Sequence, residues 1–160
     1  MNNKIAISLA SLAVIAASVC AAEVTAQEDI PLFNTGGGNG TADVPVNSWT
    51  GLQYAIYAYE QGQVIVVTQD LSCDNDRCIS VGNYGTAVID LDGHVLDRGL
   101  SSSKSKGSVI SVSNGGNLTV KDSKGTGAIT GGWSDGNGGG ICVSAGAFCS
   151  VEGVTVSGNV

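Results

Sequence analysis

Along most of the chain after residue 63, apolar and polar side chains alternate with a period of two, and the alternation returns at long range. Ile110-Ser-Val-Ser-Asn-Gly-Gly-Asn-Leu-Thr-Val120 lies over Ile141-Cys-Val-Ser-Ala-Gly-Ala-Phe-Cys-Ser-Val151, 31 residues apart, with apolar residues, glycine and ends in register. A shorter copy, Ile89-Asp-Leu-Asp-Gly-His-Val-Leu96, fits the same pattern 21 residues before Ile110. A period of two is that of a strand with one face in a core. Strands are therefore expected at 64–68, 78–81 and 86–91, within 109–120, at 128–130 and within 141–156. Ile89, Leu91, Ile110, Val112, Ile141 and Val143 are expected to stack as inward ladders, with Asp90 and Asp92 facing out.

One segment breaks the rhythm. Trp49, Leu52, Ile56 and Tyr59 fall at helical spacing, Ser48 or Asn47 offers an N-cap, and Gly62 marks an end, so a helix is expected over 49–61. Glycine clusters at 115–116, 125–127, 131–132 and 136–140 suit sharp corners between strands. Strands that recur while the loops between them vary in length are the mark of a β-solenoid, here of about four coils over 48–160. The helix is expected to lie across the open end of the first coil, where core and strand backbone are otherwise exposed.

Residues 1–22 read as a signal peptide: Lys4 gives a positive start, 5–19 are an apolar run too short to span a membrane, and small residues precede Ala22. Cleavage after Ala26 fits as well, and a lipoprotein reading of Cys20 meets Val19 where a small residue is usual. Residues 23–47, with Gly36-Gly-Gly-Asn-Gly40 and two prolines, read as a flexible leader. A secreted or cell-surface location follows from the signal. The chain carries 7 Lys and Arg against 14 Asp and Glu, a net charge of −7 that becomes −8 once Lys4 is removed. Nucleic acid is a poor partner for such a field, and no second apolar run offers a membrane span. Because 154–160 begin a further strand and turn without a polar cap, the sequence reads as the N-terminal piece of a longer protein.

Gly138-Gly-Gly-Ile141 followed by Val156-Ser-Gly-Asn159 resembles the paired glycine–isoleucine and aromatic-x-x-asparagine motifs of the polymorphic outer-membrane proteins, with Val156 in the aromatic's place. Val88-Ile-Asp-Leu-Asp-Gly-His94 is similar to the early coils of right-handed parallel β-helix proteins of the pectate-lyase-like superfamily. The resemblance implies an all-β right-handed parallel β-helix, secreted or displayed on a cell surface. It also implies an adhesive role toward glycans or host-surface ligands, or a polysaccharide-degrading enzyme.

Polysaccharide hydrolysis needs two carboxylates converging on one bond, about 5 to 10 Å apart. Asp90 and Asp92 have strand spacing that lets them share a face. On the 21-residue alignment their counterparts are Ser111 and Ser113, then Cys142 and Ser144, so the acidic patch does not continue and reads as a solvated outer face. A lyase would want a Ca²⁺ cage with an arginine; Asp90, Asp92 and Asp97 with Arg98 are the candidates, without the family's signatures. His94 is the sole histidine and reads as a surface residue at a turn, so no triad assembles. Asp135-Gly-Asn-Gly-Gly139 occurs once and reads as a plain loop. No catalytic residue, metal site or cofactor is assigned. In an exported protein Cys73 and Cys78 are expected to close a small loop as a disulfide, whereas Cys142, facing out, and Cys149, facing in, fit a bond less well. The first reading is a non-catalytic adhesive or scaffolding protein; the second is the N-terminal part of an extracellular polysaccharide lyase or glycoside hydrolase.

Overall fold

A computed structural model describes residues 42–160. The helix α1 (Trp49–Tyr57) starts where Ser48, in extended conformation, accepts a hydrogen bond on its side-chain oxygen from the Gly51 N–H at 3.0 Å. It buries Trp49, Leu52, Ala55 and Ile56. It ends four residues earlier than its apolar spacing predicts, with the Ala58 N–H bonded to the Tyr54 carbonyl at 3.0 Å. Residues 59–63 instead close a turn. There the Tyr59 hydroxyl donates to the Gln63 carbonyl at 3.0 Å, and the Glu60 N–H donates to Gln63 Oε1 at 3.0 Å.

Among the described residues all other regular structure is strand: β1 (Val44–Val46), β2 (Ile65–Val67), β3 (Leu71–Ser72), β4 (Ile79–Val81), β5 (Thr86–Asp90), β6 (Val95–Asp97), β7 (Ile110–Val112), β8 (Asn117–Lys121), β9 (Ala128–Thr130), β10 (Ile141–Val143), β11 (Phe148–Glu152) and β12 (Thr155–Val156). They form three sheets, ordered β1-β2-β5-β8-β11, β3-β6-β9-β12 and β4-β7-β10, and every pairing is parallel. From β2 onward the chain visits the three sheets in strict rotation, so each strand pairs with the strand three elements on. The molecule is thus mostly β, with parallel sheets in an arrangement compatible with a β-helix.

The 31-residue register is present as read: Ile110 pairs with Ile141, Val112 with Val143, Leu118 with Cys149 and Val120 with Val151. The shorter copy is not where the sequence put it. Ile79 and Val81 are the partners of Ile110 and Val112, and Ile89 pairs with Val120 instead, so the 31-residue step holds there too. Ile-x-Val and Ile-x-Leu are the same pattern to a period-two reading, and only the count of loop residues separates the alternatives. Ile79, Ile89, Leu91, Ile110 and Val112 are buried, with Ile65, Leu96, Leu118 and Ile129 in the same core. Ile141 is only partly buried and Val143 is 46% exposed, because β10 has a neighbour on one side alone among the described residues.

The span read as leader ends in structure. Val44–Val46 adds an edge strand to the first sheet, and Pro45, which has no N–H to donate, is tolerated at such an edge. The expected signal peptide and most of the leader lie outside the described residues. Gly107 shows what a corner asks of its residue: a Cβ there would collide with the carbonyl of Trp133, whose N–H bonds the Gly107 carbonyl at 2.9 Å. Two stretches of backbone pass each other at that point, which a side chain would forbid.

Candidate functional site

Asp90 and Asp92 sit at the corner that follows β5. Asp90 pairs along the sheet with Lys121, so Ser111 and Ser113 are not the counterparts of the two aspartates. It is buried, at 6% exposure, and not on a solvated face as its outward position suggests. The chain of the next circuit seals it: Asp90 Oδ1 accepts from the Asp92 N–H at 2.9 Å and the Ser123 N–H at 3.0 Å, and Lys121 Nζ stands 3.5 Å from Oδ2. Desolvation raises its pKa, but the backbone N–H groups of Ser123 and Asp92 outweigh that and hold the carboxyl below its ordinary value. Asp92 is taken by Lys124 Nζ at 2.9 Å and the Ser123 hydroxyl at 3.2 Å. Each aspartate is engaged by a different lysine, and the pair acts as a corner clamp between circuits.

Asp122 repeats the device. It accepts from the N–H groups of Gly93 at 2.7 Å, Lys124 at 3.3 Å and Gly127 at 2.5 Å, and these hold its pKa below the usual carboxylate value against desolvation. His94 has a carboxylate partner that sequence proximity did not show: Asp70, 24 residues upstream, lies 3.3 Å from Nδ1 and also accepts the Val95 N–H at 3.0 Å. Asp135, in the loop at 135–139, bonds through its N–H to the Lys104 carbonyl at 3.2 Å. Among the described residues no three His, Cys, Asp or Glu side chains gather to hold a metal, and no helix is long and apolar enough to cross a membrane.

Cys73 and Cys78 are free thiols in this structure, so the expected bond is not formed in it. The Cys73 thiol points to the Arg77 carbonyl at 3.4 Å, and Cys78 Sγ lies 3.5 Å from Ser80 Oγ. The loop between them is held from both sides by hydrogen bonds instead. Trp49 Nε1 donates to the Arg77 carbonyl at 2.9 Å, the Thr50 hydroxyl to Asp74 at 3.0 Å, and Lys104 Nζ grips both oxygens of Asp76 at 2.5 Å. Cys142 and Cys149 are free as well, and burial pushes the Cys149 thiol up.

Tying that loop between α1 and the 98–106 segment leaves a cleft of about 430 Å³. Tyr54 and Tyr57, 60% and 72% exposed, stand on the α1 side; Arg77 and Lys106 stand on the loops; Arg98 forms part of the wall. The Arg98 guanidinium is buried and bonds only carbonyls: Nη1 donates to Lys106 at 2.6 Å and to Ser108, and Nη2 to Asp76 at 3.3 Å. Its Nε–H is buried without a partner. The sequence held one sign of this cleft, the two tyrosines three residues apart on the polar side of the helix. It held none of the convergence of Arg77, Arg98 and Lys106, which only the stacking of circuits brings about.

Comparison of the chain with models of protein families, with curated proteins and with solved structures finds no match.

Proposed function

We propose that the three sheets are the faces of a right-handed parallel β-helix of the pectate-lyase-like kind, secreted or held at a cell surface. Its role on this reading is non-catalytic, adhesive or scaffolding, toward glycans or other surface ligands. The observation that carries the reading is the set of polar columns along the outer faces. Ser80, Ser111 and Cys142 stack in register on one sheet; Thr119 and Ser150 stack on another, in line with Val88; and Lys121 and Glu152 continue the line of the buried Asp90 as alternating charges. Such columns repeat hydrogen-bonding groups at the strand spacing of about 4.8 Å, a regular surface suited to extended partners. The alternating charges favour this register over a slipped one, since like charges side by side would repel.

The engagement of Asp90 and Asp92 by Lys121 and Lys124 weighs against a hydrolytic pair at that corner. The test has two arms on the full chain: binding to immobilised glycans and to cells, and incubation with polygalacturonate and other acidic glycans with and without Ca²⁺. Saturable binding without unsaturated products or new reducing ends is the expected result. Cleavage that disappears in Asp90→Asn or Asp92→Asn would overturn the reading in favour of the lyase or hydrolase alternative.

A further inference from the structure

We propose that the cleft beside α1 binds a small ligand carrying a carboxylate on a flat or ring-shaped body, the carboxylate against Arg98, Arg77 and Lys106 and the ring against Tyr54 and Tyr57. The proposal concerns the helix end of the molecule and is independent of any adhesive role for the sheet faces.

Charge is the first argument. The chain has twice as many acidic as basic residues, 14 against 7, yet three of those seven basic residues line this one cleft. The one carboxylate in the lining, Asp76, already has Lys104 on both its oxygens, and Asp74 nearby accepts from the Thr50 hydroxyl. The lining is therefore locally cationic in an acidic molecule.

Arg98 is the second. A guanidinium has five N–H donors and cannot shed its charge. At 6% exposure this one has left water, and among the described residues it has no ion pair. Three of its donors go to backbone carbonyls, and the Nε–H goes to nothing. Asp76, whose carboxyl the Arg98 charge helps to hold below its ordinary value, is already gripped by Lys104, and a buried donor without an acceptor is costly. A carboxylate is the anion whose two oxygens match a guanidinium edge at once.

Shape is the third. A volume of about 430 Å³ lies in the range of small-molecule pockets. Aromatic side chains at one wall with few, convergent polar groups at the other are the usual lining of such sites. The exposed faces of Tyr54 and Tyr57 can stack on the ring of an aromatic acid or on the C–H face of a sugar acid; the carboxylate is common to both.

Calorimetric titration of the full chain distinguishes the sources. The probes are benzoate and glucuronate, with benzamide and glucose as neutral counterparts and inorganic phosphate as a bare anion. Saturable binding of either carboxylate below about 10 mM, at least about tenfold tighter than its neutral counterpart, is expected, and the arm that binds names the ligand class. Arg77→Gln with Lys106→Gln, both exposed positions, should weaken binding severalfold with unchanged thermal unfolding, as should Tyr54→Ala with Tyr57→Ala. Arg98→Lys is informative only if it folds, since Arg98 also holds the carbonyls of Asp76, Lys106 and Ser108. No saturation by either carboxylate, equal binding of the neutral probes, phosphate binding alone, or exposed-residue variants with undiminished affinity would overturn the proposal.

Discussion

Removing the Asp90 carboxylate would strand the N–H groups of Asp92 and Ser123 at a buried corner, since both end on one oxygen. Asp90→Ala should therefore destabilise the fold by about 1 to 3 kcal/mol, whereas Asp90→Asn, which keeps an acceptor, should cost less. Denaturant unfolding of the two variants beside the parent checks the order, and an Asn variant as unstable as Ala would contradict it. The residue scale is also where reading the sequence reached its limit. Alternation placed Ile89, Leu91 and Ile110 in the core correctly, since a period-two pattern fixes which face a side chain takes. It put Asp90 in water, because alternation takes no account of a neighbouring circuit folding over a strand's end. The partner of His94 was hidden for the same reason: Asp70 reaches it through the stacking of circuits.

At the scale of elements, α1 is more than an apolar lid. Gln53 donates from Nε2 to the Ser80 carbonyl at 2.9 Å and accepts on Oε1 from the Ser80 N–H at 2.7 Å, so its amide completes the backbone pairing at the edge of β4. An unpaired edge is a template for association, and a side chain that mimics a strand removes it. Gln53→Ala should cost about 1 to 2 kcal/mol, and deletion of 49–57 should cause aggregation by exposing that edge together with the core that Leu52 and Ile56 cover. Size-exclusion chromatography of the deletion variant is the check; a monomer with unchanged thermal stability would remove the capping role. The existence of α1 and its buried face were legible from the spacing of Trp49, Leu52 and Ile56. Its early end was not, because Tyr59 continues the apolar spacing while its hydroxyl serves the turn at Gln63. The two-residue strand β3 and the edge strand β1 were missed because neither is long enough to show a period.

The whole molecule is tied together by carboxylates, which makes its stability depend on acid. Lys104 holds Asp76 below its ordinary pKa through a hydrogen bond and its charge, and backbone N–H groups outweigh desolvation to do the same for Asp90 and Asp122. A depressed folded-state pKa means that the unfolded chain binds the proton more readily. The contribution to stability is thus full above the unfolded carboxylate value of about 3.9 and is lost as pH falls below it through the folded-state values. The thermal midpoint should be nearly flat from neutral pH to about 4.5 and drop steeply below. A midpoint that holds or rises on acidification to pH 2 would show that these clamps contribute nothing.

One constant step orders two of the three sheets, the 31-residue register that carries β4 onto β7, β7 onto β10, β5 onto β8 and β8 onto β11. Backbone amide contacts between neighbouring strands, measured by nuclear Overhauser effects in the isotopically labelled protein, test it directly. The predicted result is a set of inter-strand contacts linking Ile79 to Ile110, Ile110 to Ile141, Ala87 to Leu118 and Leu118 to Cys149, all in parallel pairing. Strand contacts joining Ile89 to Ile110 at the shorter step, or antiparallel pairing between strands adjacent in sequence, would contradict it.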